Sequence, residues 1–298
     1  MSEPLTWPQV GARLERELGE PVRDARLLAP PRPSRRTWAA RTDTARELVI
    51  KARLADDGAY DKTEWGAVHL PLLGARGYPV PQIAWHGRLG DEWHVTVQSR
   101  LPGRPLWPLT SLSGPMLDAL LRLVELQADA GVPAGERDFA GYVANVLFDD
   151  WDDIWLDARR ASGEGAQLCA RIRRWLQPAW GLRLPPADYA HNDLNLSNVL
   201  TDGRAITGVV DWDEFGLGSR ALDLVVLAFD CERIGSRPAA DHLLARVAAI
   251  TGRDALRCLV SYRALVQLAG PRDPQDPSAA AMAAVISAIL DRLAAAPA

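Results

Sequence analysis

Short apolar segments alternate with turn-rich segments over the first hundred residues, which is the pattern of an antiparallel sheet. The spacing predicts one helix over Trp7–Leu18 and another over Glu64–Leu73, where Trp65, Val68 and Leu72 fall at helical intervals. The strand candidates are Arg26–Ala29, Thr37–Arg41, Glu47–Ala52, Gln82–Arg88 and Trp93–Gln98. After the first helix, the predicted order of elements is therefore β-β-β-α-β-β.

Beyond Leu101-Pro102-Gly103, helical periodicity replaces this pattern. A helix is predicted to begin at Ser113, with Pro115 in its first turn. Its apolar stripe would consist of Leu117, Leu121 and Val124. Further helices are predicted at about 138–160, 165–178, 221–232, 239–250, 253–269 and 278–294. Two short apolar runs, Asn198–Leu200 and Ile206–Val210, interrupt the helical region and flank a turn.

A sheet-rich first part and a helix-rich second part, joined by a short Pro/Gly segment, predict an α+β protein with two lobes. We expect residues 1–100 to form the N-terminal lobe, with a hinge at about 97–101. Residues 102–298 would form the helical C-terminal lobe, and a ligand cleft is expected at the junction.

The composition and charge of the chain indicate which kinds of molecule it is not expected to bind. The chain has 298 residues and a formal net charge of −4, so it lacks the basic excess of a nucleic-acid-binding protein. No signal peptide is recognisable in the opening residues MSEPLTWPQV, and no unbroken run of about 18 apolar residues predicts a membrane span. We therefore expect a cytoplasmic monomer or homodimer that binds neither nucleic acid nor membrane.

The strongest chemical signal is the segment His191–Asn198, which fits the pattern H-x-D-L-x-x-x-N. Thirteen residues after Asn198, an apolar strand candidate leads to Asp211. Phosphoryl transfer needs a base near the attacking hydroxyl and oxygen ligands for Mg²⁺ on the nucleotide phosphates. Asp193 would be that base, and Asn198 and Asp211 would be the metal ligands. In isolation such residues most often form turns or cap helices, but their combination favours a kinase.

These segments resemble the aminoglycoside phosphotransferase-like kinases, which are relatives of choline kinase and, more remotely, of protein kinases. The matching stretches are HNDLNLSNVL, VVDWDEFG and GSRALDLVVLA. The resemblance covers about residues 25–270 and is most specific over 189–229. It implies a bilobal protein-kinase-like fold with an antiparallel sheet lobe and a mostly helical lobe. It also implies Mg²⁺ as cofactor and ATP or GTP as phosphate donor.

The resemblance also assigns roles to individual residues. Lys51 would contact the α/β-phosphates, and Glu64 would be its ion-pair partner, although an exposed helical glutamate is solvated in most proteins. Asp223 would brace the catalytic loop through backbone amides, and His191 would orient it. The expected nucleotide-binding residues are Ser34, Lys51, Glu64, Gln98, Ser99 and Leu101.

The chain departs from the kinase pattern in its front loop. The segment Pro30–Arg36 contains no glycine, whereas protein kinases cover the phosphates with a Gly-rich loop. Ser34 with Arg35 or Arg36 would contact the phosphates instead, or the segment is a plain solvated turn. Three catalytic-loop positions also depart from relatives in which glycine or proline is common: Asn192, Leu196 and Ser197.

The acceptor is the least determined part of the prediction. On one continuous helix, Asp149, Asp153 and Asp157 would share a face that attracts a polycationic acceptor, or that is simply solvated. Asp213 is a further candidate contact to the acceptor.

Three functions are compatible with these residues. The first is O-phosphorylation of an antibiotic, conferring resistance, with an aminoglycoside, a tuberactinomycin-type peptide or a nucleoside as acceptor. The second is a kinase of a metabolite such as choline, another amino alcohol or a sugar. The third is a catalytically silent binding module that retains the fold.

Overall fold

The computed structural model describes residues 5–30, 32, 34–55, 59–109, 111–132, 137–149, 152–160, 164–270 and 277–295. The chain packs as two compact units. Met1–Arg104 and Leu200–Glu214 form the first unit, and Pro105–Val199 and Phe215–Ala298 form the second. The segment Leu200–Glu214, which the sequence-based division assigns to the second lobe, thus packs with the first unit.

The first unit is built on a five-stranded antiparallel sheet with the strand order β1-β2-β3-β5-β4. Its main elements are α1 (Trp7–Leu18), β1 (Val22–Leu27), β2 (Arg35–Thr42), β3 (Glu47–Leu54), α2 (Ala59–Ala75), β4 (Ile83–Leu89) and β5 (Trp93–Ser99). This order of elements confirms the predicted antiparallel sheet lobe. The first strand, however, begins and ends earlier than its candidate segment.

Alternation along the central strand β3 separates an apolar face from a charged face. Leu48, Ile50 and Ala52 are fully or almost fully buried in a core that also contains residues of α1. Successive side chains of a strand point to opposite faces, so Lys51 and Arg53 lie on the other side of the sheet. The chain thereby places two cations on a rigid central strand.

Helix α2 buries a different face from the predicted one. Trp65 is buried as expected, but Val68 and Leu72 are 61% and 51% exposed. The buried positions beside Trp65 are instead Gly66, His69, Leu70 and Leu73. These positions also have helical spacing, so spacing alone did not determine which face is buried.

The remaining elements are mostly helical, as predicted. The helices are α3 (Gly114–Glu125), α4 (Phe139–Phe148), α5 (Asp152–Arg160), α6 (Gly165–Leu176), α7 (Ala221–Arg233), α8 (Arg237–Thr251), α9 (Arg253–Ala269) and α10 (Pro277–Ala295). The short strands are β6 (Arg104–Pro105), β7 (Asp188–Ala190), β8 (Val199–Thr201), β9 (Ile206–Val209) and β10 (Gly216–Gly218). Every residue from Ala221 to Glu232 is buried, so α7 is the central helix of the second unit.

Helix α10 is long and apolar enough to cross a membrane by length and composition, with a mean hydropathy of 1.5 over Ser278–Ala295. The sequence analysis, which required an unbroken apolar run, did not flag it. Buried helices of water-soluble proteins pass the same test, so the signal is weak. Here α10 packs against α6 and α7, and Ile286 and Ile289 are completely buried. Its Arg292 also forms an ion pair with Glu232 of α7.

Candidate active site

In the first unit, Asp211 follows β9 in a strained turn. Its backbone adopts a left-handed conformation with φ of 66°, which aspartate tolerates better than most residues. The next residue, Trp212, is buried and donates its indole N–H to the carbonyl oxygen of Val209 at 2.9 Å. This anchor holds the turn while the Asp211 side chain remains 38% exposed.

The side chain of Lys51 contacts the two aspartates of this turn. Its Nζ lies 2.5 Å from Oδ1 of Asp211 and 3.4 Å from Oδ1 of Asp213, and its side chain is only 14% exposed. The ammonium group therefore binds two carboxylates that follow β9. Its own strand, β3, is the central strand of the sheet and pairs with β2 on one side and β5 on the other. This arrangement places a partly desolvated cation beside a candidate metal ligand.

Asp213 is the most heavily paired acid of the first unit. Its Oδ2 accepts from Nη2 of Arg35 at 2.8 Å and forms an ion pair with Arg53. Burial alone would raise the pKa of the Asp213 carboxyl, but Lys51, Arg53 and Arg35 outweigh burial and hold that pKa well below its usual range. We call Arg35, Lys51 and Arg53 the cationic sheet face. With its carboxylate taken by these cations, Asp213 is poorly placed for the predicted contact to an acceptor.

The predicted ion pair between Lys51 and Glu64 is not formed. Glu64 lies on α2 as expected, but it is exposed, and in the parts of the chain that the structure describes no ion pair joins it to Lys51. The two aspartates after β9 take its place. Sequence spacing did not reveal this, because Asp211 and Asp213 lie about 160 residues beyond Lys51.

The predicted hinge residues lie at the end of β5 and just after it. Gln98 is buried. Ser99 forms two hydrogen bonds with Gln82: its backbone N–H donates to the Gln82 carbonyl oxygen at 2.8 Å, and its hydroxyl oxygen accepts from the Gln82 backbone N–H at 2.9 Å. Leu101 packs so closely on Gly208 of β9 that a Cβ there would lie 2.8 Å from it. The hinge segment is thus firmly held within the first unit.

A pocket with both charged and apolar walls, the latter including Leu70, Ile83 and Trp212, lies between α2 and the charged face of the sheet. Its lining includes Lys51, Arg53, Lys62, Thr63, Thr96, Gln98 and Asp213. Ser34 is not among these residues; it is exposed, and its carbonyl oxygen accepts from the backbone N–H of Leu54 at 3.1 Å. Ser34 therefore ties the segment before β2 to the end of β3.

In the second unit, a buried carboxylate organises the catalytic loop. Asp223 of α7 has no exposed surface, and it accepts the backbone N–H groups of His191 at 2.9 Å and Asn192 at 2.8 Å. Gln127 donates its side-chain amide to the same carboxylate at 2.9 Å. Burial raises the pKa of the Asp223 carboxyl despite these donors. These are the backbone contacts that the family resemblance implies for Asp223.

His191 is completely buried at the start of this loop. Its Nδ1 lies 3.3 Å from the backbone nitrogen of Asp193, which donates to it. Asn192 between them has a φ of 66°, so the chain turns sharply before the candidate base. His191 therefore contacts the loop from its buried side, as a residue that orients the loop would.

Asp193 presents a carboxylate that is 40% exposed and held from two sides. Nδ2 of Asn195 donates to its Oδ2 at 3.1 Å, and Nη1 of Arg263 donates to its Oδ1 at 3.3 Å. Arg263 is buried on α9, far away in the sequence. A general base must be accessible and held in one direction, and this carboxylate is partly exposed and bonded through each of its oxygens.

A second buried carboxylate holds the far part of the loop. Oδ2 of Asp230 accepts the backbone N–H of Leu196 at 2.7 Å, and its Oδ1 accepts from Arg233 at 2.8 Å. Burial raises the pKa of the Asp230 carboxyl. The sequence analysis missed Asp230, although its spacing of seven residues from Asp223 places both on one face of α7.

Two of the predicted residues have the oxygen ligands that Mg²⁺ prefers. Asn198 donates its side-chain N–H to the carbonyl oxygen of Asp193 at 2.9 Å, which leaves its amide oxygen for a cation. The half-exposed Asp211 carboxylate has the second suitable oxygen. Among the described residues, no group of three or more His, Cys, Asp or Glu side chains is arranged to hold a metal. Each of these oxygens, taken within its own unit, is of the type that suits Mg²⁺ bound chiefly by substrate phosphates, rather than an all-protein metal site.

The predicted acidic face is not formed as one helical surface. Asp149 ends α4 with an extended backbone, at φ of −99° and ψ of 159°, and pairs with Arg183 at 3.0 Å. Asp153 and Asp157 lie on the separate helix α5, where both are exposed. The prediction of a single helix over 138–160 was wrong at this break, so the three acids do not share one helical face.

Comparison with known proteins places this geometry in a family. The model of the phosphotransferase enzyme family matches residues 30–259. The aminoglycoside phosphotransferase APH(4)-Ia is 19% identical, with a TM-score of 0.67 over 96% of this chain and 99% of that one. An aminoglycoside phosphotransferase bound to GDP and kanamycin is 16% identical, with a TM-score of 0.63 over 95% and 97%.

A third solved structure is spectinomycin phosphotransferase in complex with ADP and spectinomycin. It is 14% identical, with a TM-score of 0.61, and the match covers 99% of both chains. At these identities the structural likeness shows the fold, which is the predicted kinase-like fold. The family match covers well over half of the sequence and confirms the resemblance seen in the motifs. The chain therefore belongs to the phosphotransferase enzyme family.

Proposed function

We propose that this enzyme transfers the γ-phosphate of ATP or GTP to a hydroxyl group of a small antibiotic and thereby confers resistance. The acceptor would be an aminoglycoside, a tuberactinomycin-type peptide or a nucleoside antibiotic. The observation that carries this proposal is the catalytic loop. It presents the accessible Asp193 carboxylate, the Asn198 side-chain amide is bonded to the Asp193 backbone carbonyl, and the loop is anchored on two buried carboxylates.

Asp193 would accept a hydrogen bond from the acceptor hydroxyl and take its proton as the new O–P bond forms. The bond between the γ-phosphorus and the bridging oxygen would break, and a nucleoside diphosphate would leave. Asn195 and Arg263 would hold the carboxylate in the required direction, since each binds one of its oxygens.

Lys51 would bind the donor phosphates as a compact cation. Asn198 and Asp211 would hold Mg²⁺, which supplies neutralisation of phosphate charge when it is bound. The buried face of β5 near Gln98 and the following segment to Leu101 would bind the nucleotide base. Both donors are cytoplasmic nucleotides, so we also propose that the enzyme works in the cytoplasm.

The solved structures of similar fold support an antibiotic acceptor. Two of them contain a nucleotide with kanamycin or spectinomycin, and another contains ADP with hygromycin B. One has GDP and two have ADP, which supports testing both nucleotides as donors.

An acceptor screen with labelled nucleotide tests the proposal directly. Purified enzyme with Mg²⁺ would be given γ-labelled ATP or GTP and each compound of a panel. The panel contains aminoglycosides, tuberactinomycin peptides, nucleoside antibiotics, choline, other amino alcohols and sugars. We expect label transfer to members of one antibiotic class. Turnover confined to choline, amino alcohols or sugars would instead make the protein a metabolite kinase.

The same assay tests Asp193. We expect Asp193→Ala to lower kcat by roughly 10³-fold, because general-base catalysis contributes on the order of 10²–10⁴-fold. Nucleotide should still raise the melting temperature of the variant, since Asp193 is not assigned to nucleotide binding. The matched control is Asp118→Ala, which changes an exposed acid on α3 and should leave kcat unchanged. Wild-type turnover by Asp193→Ala would exclude this residue as the base.

A further inference from the structure

The cationic sheet face brings two like charges directly opposite each other. In the antiparallel register of β2 and β3, Arg35 pairs with Arg53, and Thr37 pairs with Lys51. Residues two apart on a strand share a face, so Lys51 and Arg53 point the same way. Like charges in direct cross-strand pairs are destabilising. The sheet therefore carries an arrangement of three cations that its own folding does not favour.

Asp213 compensates this charge only in part. Its two oxygens serve three cations, with Oδ2 shared by Arg35 and Arg53 and Oδ1 facing Lys51. Within the part of the chain that the structure describes, Asp211, the other carboxylate, forms an ion pair with Lys51 alone. Three cations thus meet two carboxylates, and the cluster keeps an excess of positive charge.

Hydrogen-bond donors are also in excess. A guanidinium group has five N–H donors, but Arg35 uses only one of them on Asp213. Nε of Arg53 is buried and donates to no acceptor among the described residues. The Arg53 side chain is only 20% exposed, so water reaches it poorly. A buried donor without an acceptor is costly, so an anion that places an oxygen beside this Nε would be stabilised.

We propose that Arg35 and Arg53 bind the phosphate groups of the nucleotide, in place of the glycine-rich loop that this chain lacks. This inference rests on the proposed function, because it concerns the donor of the same reaction. Arginine suits the role, since its planar fork matches phosphate oxygens in pairs. Arg35 is 43% exposed and follows directly on the turn into β2, so an incoming anion can reach it.

Lys51 selects the class of anion. It belongs to the same face as the two arginines and is the residue assigned to the phosphates by the family resemblance. Neighbouring strands lie roughly 4.8 Å apart, and residues two apart on a strand lie roughly 6.7 Å apart. Cations spread over such distances suit a chain of phosphates better than a single anion. We expect the loss of the two arginines to weaken the binding of a nucleoside triphosphate most, of a diphosphate less and of a monophosphate least.

Asp213 would hold the arginines in position before the nucleotide arrives. It aligns both guanidinium groups through one oxygen, which reduces the side-chain entropy lost on binding. The phosphate oxygens would then take the donors that Asp213 leaves free, including Nε of Arg53.

Isothermal titration with a non-hydrolysable ATP analogue, ADP and AMP tests the inference without any acceptor. The variants are Arg35→Gln, Arg53→Gln and the double variant, and circular dichroism checks that each is folded. We expect each single variant to weaken binding of the ATP analogue roughly tenfold or more, because hydrogen bonds to charged groups are worth about 1.5–3 kcal/mol. AMP binding should change less than twofold. Arg53→Lys should recover part of the affinity, since it restores the charge but not the fork.

Arg41→Gln is the matched control. Arg41 lies on β2, on the same face as Arg35 but at the other end of the strand, where it pairs with Glu47 at 3.1 Å. Its replacement should leave all three affinities unchanged. Wild-type affinity of the folded double variant for the ATP analogue would overturn the inference while leaving the proposed function intact. Equal losses for AMP and the ATP analogue would also overturn it. A wild-type protein that binds no nucleotide would overturn both.

Discussion

The catalytic loop of the second unit and the cationic sheet face of the first unit both present charged side chains. The two regions are held in place by different kinds of bond. Backbone N–H groups of the loop donate to Asp223 and Asp230, which are buried carboxylates on one helix. On the sheet face, side chains hold one another through ion pairs centred on Asp213.

This difference determines what each region can do. A backbone amide buried without its acceptor costs about 1–3 kcal/mol, so the loop has essentially one stable geometry. Such rigidity suits a base that must be aligned with a reacting hydroxyl. Long, partly solvated side chains exchange partners at a smaller cost, and this suits groups that must receive a polyphosphate.

Replacing Asp223 tests the rigid side of the comparison. Asp223→Ala removes the acceptor of two backbone amides and of Gln127, all in a fully buried place. We expect the free energy of unfolding to fall by about 4 kcal/mol and phosphotransfer to be lost. Urea unfolding measures the first effect, and Asp223→Asn, which keeps one acceptor oxygen, should lose about half as much.

Arg35→Gln is the counterpart on the sheet face. Because Arg35 is 43% exposed, its ion pair with Asp213 is screened by water, and its loss is offset by relief of the repulsion from Arg53, so the free energy of unfolding should change by less than about 1 kcal/mol. If the two replacements destabilise the protein equally, the contrast between a rigid loop and an exchangeable network fails.

A smaller effect is expected from Arg263, the cation that meets the base. Arg263→Met should lower kcat about tenfold, because the Asp193 carboxylate would be held only by Asn195. The KM for nucleotide should stay unchanged, since the sheet face is intact. The control is Arg257→Met on the same helix, whose guanidinium pairs with Asp254 and stacks on Trp175. A rise in nucleotide KM with unchanged kcat would place Arg263 in donor binding instead.

Local patterns predicted the elements of the fold well. Helix α1 and helix α9 have the predicted bounds, and β3 and β5 extend their predicted segments by only one or two residues. In these segments, alternation or helical spacing agrees with caps and turns at both ends, so local and global preferences coincide. The break after α4 was missed because the apolar spacing continues across it into α5.

The loop motif was readable because its parts are close in sequence and have fixed spacing. The partners that complete the site were not readable, since the fold brings them from far away. Arg263 lies 70 residues beyond Asp193 in the sequence, and Arg53 lies 160 residues before Asp213. No period or motif links such pairs. Only the strand register showed that Arg35 and Arg53 are neighbours.

The two regions are also expected to differ in their response to acid. His94 of β5 lies opposite Arg53 in the sheet, and burial, with His86 and Arg53 nearby, lowers the pKa of His94 to about 4. The unfolded chain takes up this proton near pH 6.5, so the His94 contribution to stability is lost as the pH falls from 6.5 towards 4. Burial raises the pKa of Asp223, so falling pH instead favours the folded state there.

Acid should therefore loosen the first unit before the second. Between pH 7 and pH 5.5, His94→Gln should lose about 1 kcal/mol less stability than the wild type, because glutamine does not titrate. His242→Gln on α8 is the control; His242 is exposed, and its replacement should leave the pH dependence unchanged. Hydrogen exchange at both pH values would locate the change, with faster exchange expected in β3 and β5 and unchanged protection in α7. If the His94→Gln variant and the wild type lose the same stability in acid, protonation of His94 is not the cause of the loss. The predicted difference in acid response between the two units would then be wrong.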